Sequence, residues 1–213
     1  MDFSSGFGQK VSQCEAIIGY CFNSKVLCAE ALNAAADSKC VYILDGLLQR
    51  MPKNDRLAVY GDSAAAFYRY LCSIWVQRGL DKHCWTMLRH DLISNENLAR
   101  VGMEHGLDTC INVNGGTVRV TPGMVATAVE AILGAVERDG GYDTLARVMA
   151  HLGLTQHALL SLVMFCLRTH LLHICRSAAS YSLDLLGPSV AALGQPIVRA
   201  LWSRYVIEGY LPA

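Results

Sequence analysis

The stretch that decides how this chain is read is Asn54-Asp55-Arg56-Leu57-Ala58-Val59-Tyr60-Gly61-Asp62-Ser63. Met51-Pro52-Lys53 breaks the chain ahead of it, and Asn54 is a good N-cap for a helix starting at Asp55. The residues after Asn54 have helical spacing, and Ala64, Ala65, Ala66, Tyr68 and Leu71 extend the pattern, so a long helix is predicted over 55–76. On that helix residues four apart share a face, which places position 58 beside the acid at position 62.

Reading outward from this helix gives helices on both sides. Toward the C-terminus, helices are predicted over 82–91 and, behind a Ser94 cap, over 95–105, closed by Gly106. Residues 112–118 read as a loop or tight turn. Thr121-Pro122 opens a helix over 123–139, Gly140-Gly141 ends it, and 143–151 forms another. Toward the N-terminus, helices are predicted over 10–22, with Val11, Cys14, Ile17 and Ile18 on one face, and over 25–35. The apolar stretch 38–49 has no assignable type. After Gly153 come two apolar helical stretches, 155–186 and 189–208, separated by Gly187-Pro188. The expectation is an all-α protein with no convincing strand: a domain over 10–152 and a helical extension over 153–213 that packs on the domain or on a dimer partner.

Composition narrows the function classes. Hydrophobic residues make up 53% and charged residues 17% of 213, which excludes disorder and asks for a large core or partner surface. The formal net charge is zero. Holding a phosphate backbone usually needs a basic surplus, so neutrality disfavours RNA as a partner. Nine cysteines, none in a C-x-x-C pair, read as free thiols in a reducing cytoplasm. Met1–Gly6 shows neither an apolar core nor an Arg-rich amphipathic pattern, so no targeting leader is expected there. Residues 158–175 approach the length of a membrane span, but Arg168, His170 and His173 argue for a buried or partner-facing helix.

Four stretches, in order, carry a family resemblance. Ile18-Gly19-Tyr20-Cys21-Phe22 with Leu27 and Ala31-Leu32 resembles a "G-Y-x-F…L…A-L" opening. The 54–63 stretch resembles the signature "N-E-R-L-E-F-L-G-D-S". Leu92-Ile93-Ser94-Asn95-Glu96-Asn97-Leu98-Ala99 with Gly102 and Gly106-Leu107 resembles "L-V-S-N-x-x-L-A…G…G-L". Val125 to Ala135 followed by Asp139-Gly140-Gly141 resembles "L-A-D-x-x-E-A-L-I-G-A…D-G-G". Together they are similar to the ribonuclease III domain over residues 10 to about 150. No stretch resembles a double-stranded-RNA-binding domain.

The resemblance implies a helical endonuclease domain whose two divalent ions are held by four acids on two facing helices. Carried over by position, two of the four are Asp62 and Glu130. The other two positions hold Ala58 and Thr127, which supply no carboxylate, and Asp55 stands where it could partly compensate. At most one Mg or Mn ion, weakly held by Asp62 and Glu130, is therefore expected. The family's dimer anchor, an aromatic, is Val59 here, and the family's "T-H-x-S" is absent at Asn33-Ala34-Ala35-Ala36.

The candidate catalytic residues are thus Asp62, Glu130, Asp55 and His90, the last because His90-Asp91 could pair a base with its orienter. Such a pair is more often a solvated helix end. His170 and His173 have metal-ligand spacing but no third ligand, so packing is the simpler reading. The expected protein is a homodimer with a degenerate site, repurposed as an accessory metabolic enzyme that binds or acts on a small molecule. The alternatives are an RNA-associated pseudoenzyme and a residual metal-dependent endoribonuclease.

Overall fold

A computed structural model describes residues 7–36, 41–44, 47–66, 72, 75, 76 and 78–160. The predicted extension beyond residue 160, with His170 and His173, lies outside the described residues. So does most of the continuation of the 55–76 helix past Ala66.

The first helix, α1 (Phe7–Ile18), buries Phe7, Val11, Cys14 and Ile18, spaced three to four apart so that one stripe faces the core. It is followed by α2 (Lys25–Leu32), which buries Cys28, Ala29, Ala31 and Leu32. Next comes an antiparallel pair, β1 (Val41–Leu44) and β2 (Leu47–Arg50), in register Val41↔Arg50 and Leu44↔Leu47. This corrects the expectation of no strand. A signal for it exists in the sequence: the two residues between Leu44 and Leu47 are Asp45-Gly46, a dipeptide that favours two-residue hairpin connections between β-branched and apolar runs.

The remaining described helices are α3 (Asp55–Ala66), α4 (Lys82–Ile93), α5 (Asn95–Glu104) and α6 (Pro122–His151). Caps set the starts of α5 and α6 as the sequence predicts, but Asn54 does not cap α3: its Nδ2 donates to the Ala31 carbonyl at 3.1 Å, and among the described residues its buried Oδ1 has no hydrogen-bond partner. The Ser94 hydroxyl accepts from the Asn97 amide at 3.3 Å, and Thr121 accepts from the Met124 amide at 3.3 Å with Pro122 following it. The α4 cap is Asp81, whose carboxylate accepts from the Cys84 amide at 2.8 Å.

Helix α6 is the axis of the domain. From Val125 to Val136 it is buried almost all round, as a helix enclosed by others must be. It then turns at Gly141, whose φ of 75° and ψ of −178° interrupt the helical path. The two helices predicted here, over 123–139 and 143–151, are the two arms of this kinked run. An L side chain at Gly141 would be strained in that backbone region.

The first and last family-like motifs meet at the kink. The Tyr20 hydroxyl donates to Asp139 at 2.6 Å, and the amides of Asn23 and Ser24 donate to the same carboxylate at 2.7 and 2.9 Å. A Cβ on Gly140 would lie 2.7 Å from the Tyr20 hydroxyl oxygen, so this seat requires glycine. One short acid thereby fixes the entry of α2 against the end of α6's first arm.

A second buried polar network replaces the missing "T-H-x-S". Asn33 is fully buried; its amide donates to the carbonyls of Met51 and Pro52, and its Oδ1 accepts from Asn112 at 2.9 Å. It ties the start of α3 to the loop after α5. Among the described residues, no helix is long and apolar enough to cross a membrane.

Candidate functional site

Two glycines create the site by letting α3 and α6 touch backbone to backbone. A Cβ on Gly61 would lie 1.8 Å from the Glu130 carbonyl oxygen, and one on Gly134 would lie 2.6 Å from the Leu57 carbonyl oxygen. No side chain fits in either gap. The close crossing is what brings the residue after Gly61, Asp62, toward Glu130. Leu57, Ile132 and Leu133 fill the buried side of the same crossing.

On the solvent side the crossing opens into a cleft of about 450 Å³ lined by Asp55, Ala58, Val59, Asp62, Ser63, Asn95, Thr127 and Glu130. Positions 55, 58, 59, 62 and 63 form the stripe that an α-helix presents on one side. Positions 127 and 130 face it from α6, and Asn95 enters from the first turn of α5. The cleft thus gathers three of the four predicted catalytic residues, together with Ala58 and Thr127.

The two central acids differ in their surroundings. Asp62 is half-exposed and faces the Arg89 guanidinium of α4 at 3.8 Å. Glu130 is half-buried, and among the described residues no donor or cation pairs with its carboxylate. Burial first, and then the negative charge of Asp62, push the Glu130 carboxyl above its ordinary value. A half-buried carboxylate under that pressure gains from any cation or hydrogen-bond donor that enters the cleft.

Asp55 lines the cleft rim, but its carboxylate is exposed and already held by Lys53 at 2.8 Å. His90 lies elsewhere: it is exposed on α4, is not among the cleft-lining residues, and its Nδ1 meets Asp91 at 3.0 Å. Asp91 also meets the Nε2 of His157 at 3.0 Å, and the Leu159 amide donates to His157 Nδ1 at 3.1 Å. Because Nδ1 accepts there, Nε2 carries the proton and donates to Asp91. That grouping serves to seat the turn at 158–160. The sequence assigns no role to His157 and does not reveal Arg89 as the partner of Asp62. Neither pairing has a local signal, since each joins residues far apart in the chain.

Two facing carboxylates with the side-chain oxygens of Ser63 and Asn95 fit a single hard cation that keeps most of its water. They do not fit two ions. Among the described residues, no group of three or more His, Cys, Asp or Glu side chains converges closely enough to hold a metal.

Comparison with known proteins agrees with the fold. No family model matches the chain. A Ribonuclease 3 from Rhodopirellula baltica is 27% identical over 138 residues, which is 62% of this chain and 47% of that protein. A Ribonuclease 3 from Bordetella petrii is 32% identical over 102 residues, 45% of this chain and 40% of that protein. The chain therefore spans less than half the length of these curated relatives. Two solved structures of the nuclease domain of ribonuclease III from Campylobacter jejuni superpose with TM-scores of 0.55 and 0.53 at 19% and 20% identity. They cover 67% and 66% of this chain and 94% and 91% of theirs.

Proposed function

We propose, from the premise that this chain carries a ribonuclease III-type domain, that its cleft has been repurposed to hold a small, donor-rich or cationic molecule and does not hydrolyse duplex RNA. The observation that carries this reading is the half-buried, unpartnered Glu130 facing Asp62, with Ala58 and Thr127 where the resemblance puts two further acids. Hydrolysis by two metal ions needs carboxylates enough to offset both charges and to orient water and leaving oxygen. Two carboxylates support one ion at low affinity. A cleft of about 450 Å³ falls within the size range of small-ligand sites. No Lys or Arg lines it and three carboxylates do, so a phosphate backbone without bound cations is disfavoured there.

In this role Glu130 is the acid–base group, because its raised pKa brings its proton nearer to neutral pH. Asp62, steered by Arg89, orients the ligand's donor. In this reading the chain forms a homodimer. One of the Campylobacter jejuni structures is described by a region involved in dimer formation, which supports a dimer. Free thiols at Cys14, Cys21, Cys28, Cys72 and Cys110 support a cytoplasmic setting.

The test is incubation of the full chain with an end-labelled RNA duplex and Mg or Mn at physiological salt, beside calorimetric titration of each ion. The expected results are an intact duplex and one weak ion site at most. Metal-dependent cutting that disappears in Asp62→Ala would overturn the proposal in favour of a residual endoribonuclease. Tight retention of uncut duplex would overturn it in favour of an RNA-associated pseudoenzyme.

A further inference from the structure

We propose that the acidic cleft continues into an anion-accepting half-site at the start of α3, so that its ligand is an elongated amphoteric molecule with a carboxylate or phosphate at one end and a protonated amine at the other. This rests on the acidic cleft being a small-molecule site, and it names the class of molecule that the site takes.

A second cavity, of about 380 Å³, lies against the β2–α3 connection and is lined by Arg50, Met51, Pro52, Lys53, Asp55 and Arg56, closed by Ala35 and Ala36. It shares Asp55 with the acidic cleft, so the two are neighbours on the rim of one helix. Their charges are opposite. The acidic cleft has three carboxylates and no cation in its lining; this one has three cations and a single carboxylate. That carboxylate, Asp55, is paired with Lys53 at 2.8 Å, which neutralises the boundary and leaves the two guanidinium groups as the positive pole.

Arg50 is held in place by donating to the Ala36 carbonyl at 2.5 Å, which uses one of its five N–H groups. Among the described residues no carboxylate lies within ion-pair distance of Arg56, although its guanidinium is near enough to Glu30 to act on that half-buried acid. Guanidinium groups match the planar pair of oxygens on a carboxylate or phosphate better than ammonium groups do. Pro52, with the edge of the buried Met51, lines the basic half-site beside these guanidinium groups.

Two adjoining sites on α3 thus carry opposite charge. A duplex backbone needs cations along its whole track and would meet the acid pole within a few phosphates. A molecule that changes sign along its length satisfies both. From Arg56 to Asp62 the helix rises about 9 Å, at roughly 1.5 Å per residue, and the two positions lie about a third of a turn apart around it, so the ligand's charged ends are separated by at least about that rise.

The test uses the full chain labelled with ¹⁵N and a length series of ω-amino carboxylates: γ-aminobutyrate, ε-aminocaproate and ω-aminocaprylate, with acetate and ethylamine as half-ligands. Binding is read from amide shifts. One of the two longer compounds is expected to bind at least about tenfold tighter than γ-aminobutyrate or either half-ligand, a step of roughly 1.4 kcal/mol. The double variant R50Q/R56Q should abolish the shifts caused by acetate and remove the length preference. D62N/E130Q should abolish those caused by ethylamine and leave acetate unaffected. Both variants alter exposed or half-buried side chains, and unchanged melting curves establish that they fold.

Equal affinity across the series, or a length preference that survives R50Q/R56Q, overturns the inference. So does retention of a labelled RNA duplex at physiological salt that R50Q/R56Q abolishes, since nucleic acid would then be the occupant of the basic pole. An acetate response lost in R50Q/R56Q, together with duplex cleavage by the unaltered chain, keeps the basic half-site and removes only the reading of the acidic cleft as a non-nuclease site.

Discussion

Two carboxylates on α6, Glu130 and Asp139, have opposite fates. Asp139 accepts from the Tyr20 hydroxyl and from two backbone amides. Burial alone would raise its pKa, but those hydrogen bonds outweigh it and hold the group below the ordinary carboxylate value. Glu130 has burial and the charge of Asp62 acting in the same direction, and no donor to offset them. One acid is consumed in building the fold. Among the described residues the other has no donor or cation paired with it, and this is the observation on which the proposed binding role rests.

The sharpest way to break this comparison is to remove the crossing that creates it. Gly61→Ala would put a methyl group 1.8 Å from the Glu130 carbonyl oxygen, and the helices would have to separate along their length. The expected outcome is loss of the cooperative thermal transition, a penalty of about 4 kcal/mol or more, read by circular dichroism and soluble yield. A normal melt for Gly61→Ala would mean that α3 and α6 do not approach as closely as described.

Asp139→Ala comes next. It leaves the Tyr20 hydroxyl and two amides without their acceptor, at a cost of about 2 kcal/mol measured by urea unfolding. Its pH dependence has a defined sign. A group whose folded pKa is depressed contributes stability above its unfolded pKa, and that stability is lost as pH falls through the folded value. The difference between the unaltered chain and Asp139→Ala should therefore be full at neutral pH and close in the acid range below the ordinary aspartate value. A difference that stays constant down to that range would show that the clamp is not ionic.

Ala58→Glu with Thr127→Asp sharpens the comparison from the other side, by giving Glu130 its missing company. Four acids around one cleft should raise Mn affinity by about tenfold or more, worth roughly 1.4 kcal/mol, and lower stability without the ion. Calorimetry with and without Mn reads both. No gain in affinity would mean that positions 58 and 127 do not point at a common ion site.

Glu130→Gln is the smallest effect and has the opposite sign to Asp139→Ala. A raised folded pKa means that the charged form is disfavoured in the folded state. The corresponding stability is present below the unfolded pKa and lost as pH rises through the folded value. Replacing the acid by its neutral isostere should thus stabilise the chain at neutral pH by a few tenths of a kcal/mol, given solvent screening at a half-exposed site. A destabilised Glu130→Gln would show that the carboxylate has a structural partner after all.

Much of the fold is legible in the sequence because its signals are local. Ser94 and Thr121 announce helix starts through their side-chain oxygens, and Gly140-Gly141 announces the break in α6, since each acts within one turn of itself. The hairpin at 41–50 has its signal in Asp45-Gly46, but a short apolar run without clear alternation leaves helix and strand undecided on either side of it. In the site, Asp62 and Glu130 are identified through their motif positions and lie in one cleft. Arg89 opposite Asp62 and the His157–Asp91 contact are not, because nothing in the local sequence encodes which distant side chain a charge will meet in space.

The sequence by itself determined that this is a helical chain around an apolar axis, and it put Asp62 and Glu130 at motif positions of the family it resembles. Periodicity and residue type are properties of neighbours along the chain, and they suffice for that. Only the tertiary structure decided that Gly61 and Gly134 seat two helices in backbone contact, that among the described residues Glu130 has no partner while Asp139 has three, and that a basic cavity adjoins the acidic one. Those outcomes depend on distances between residues far apart in sequence, and electrostatic and packing energies are set by distance in space.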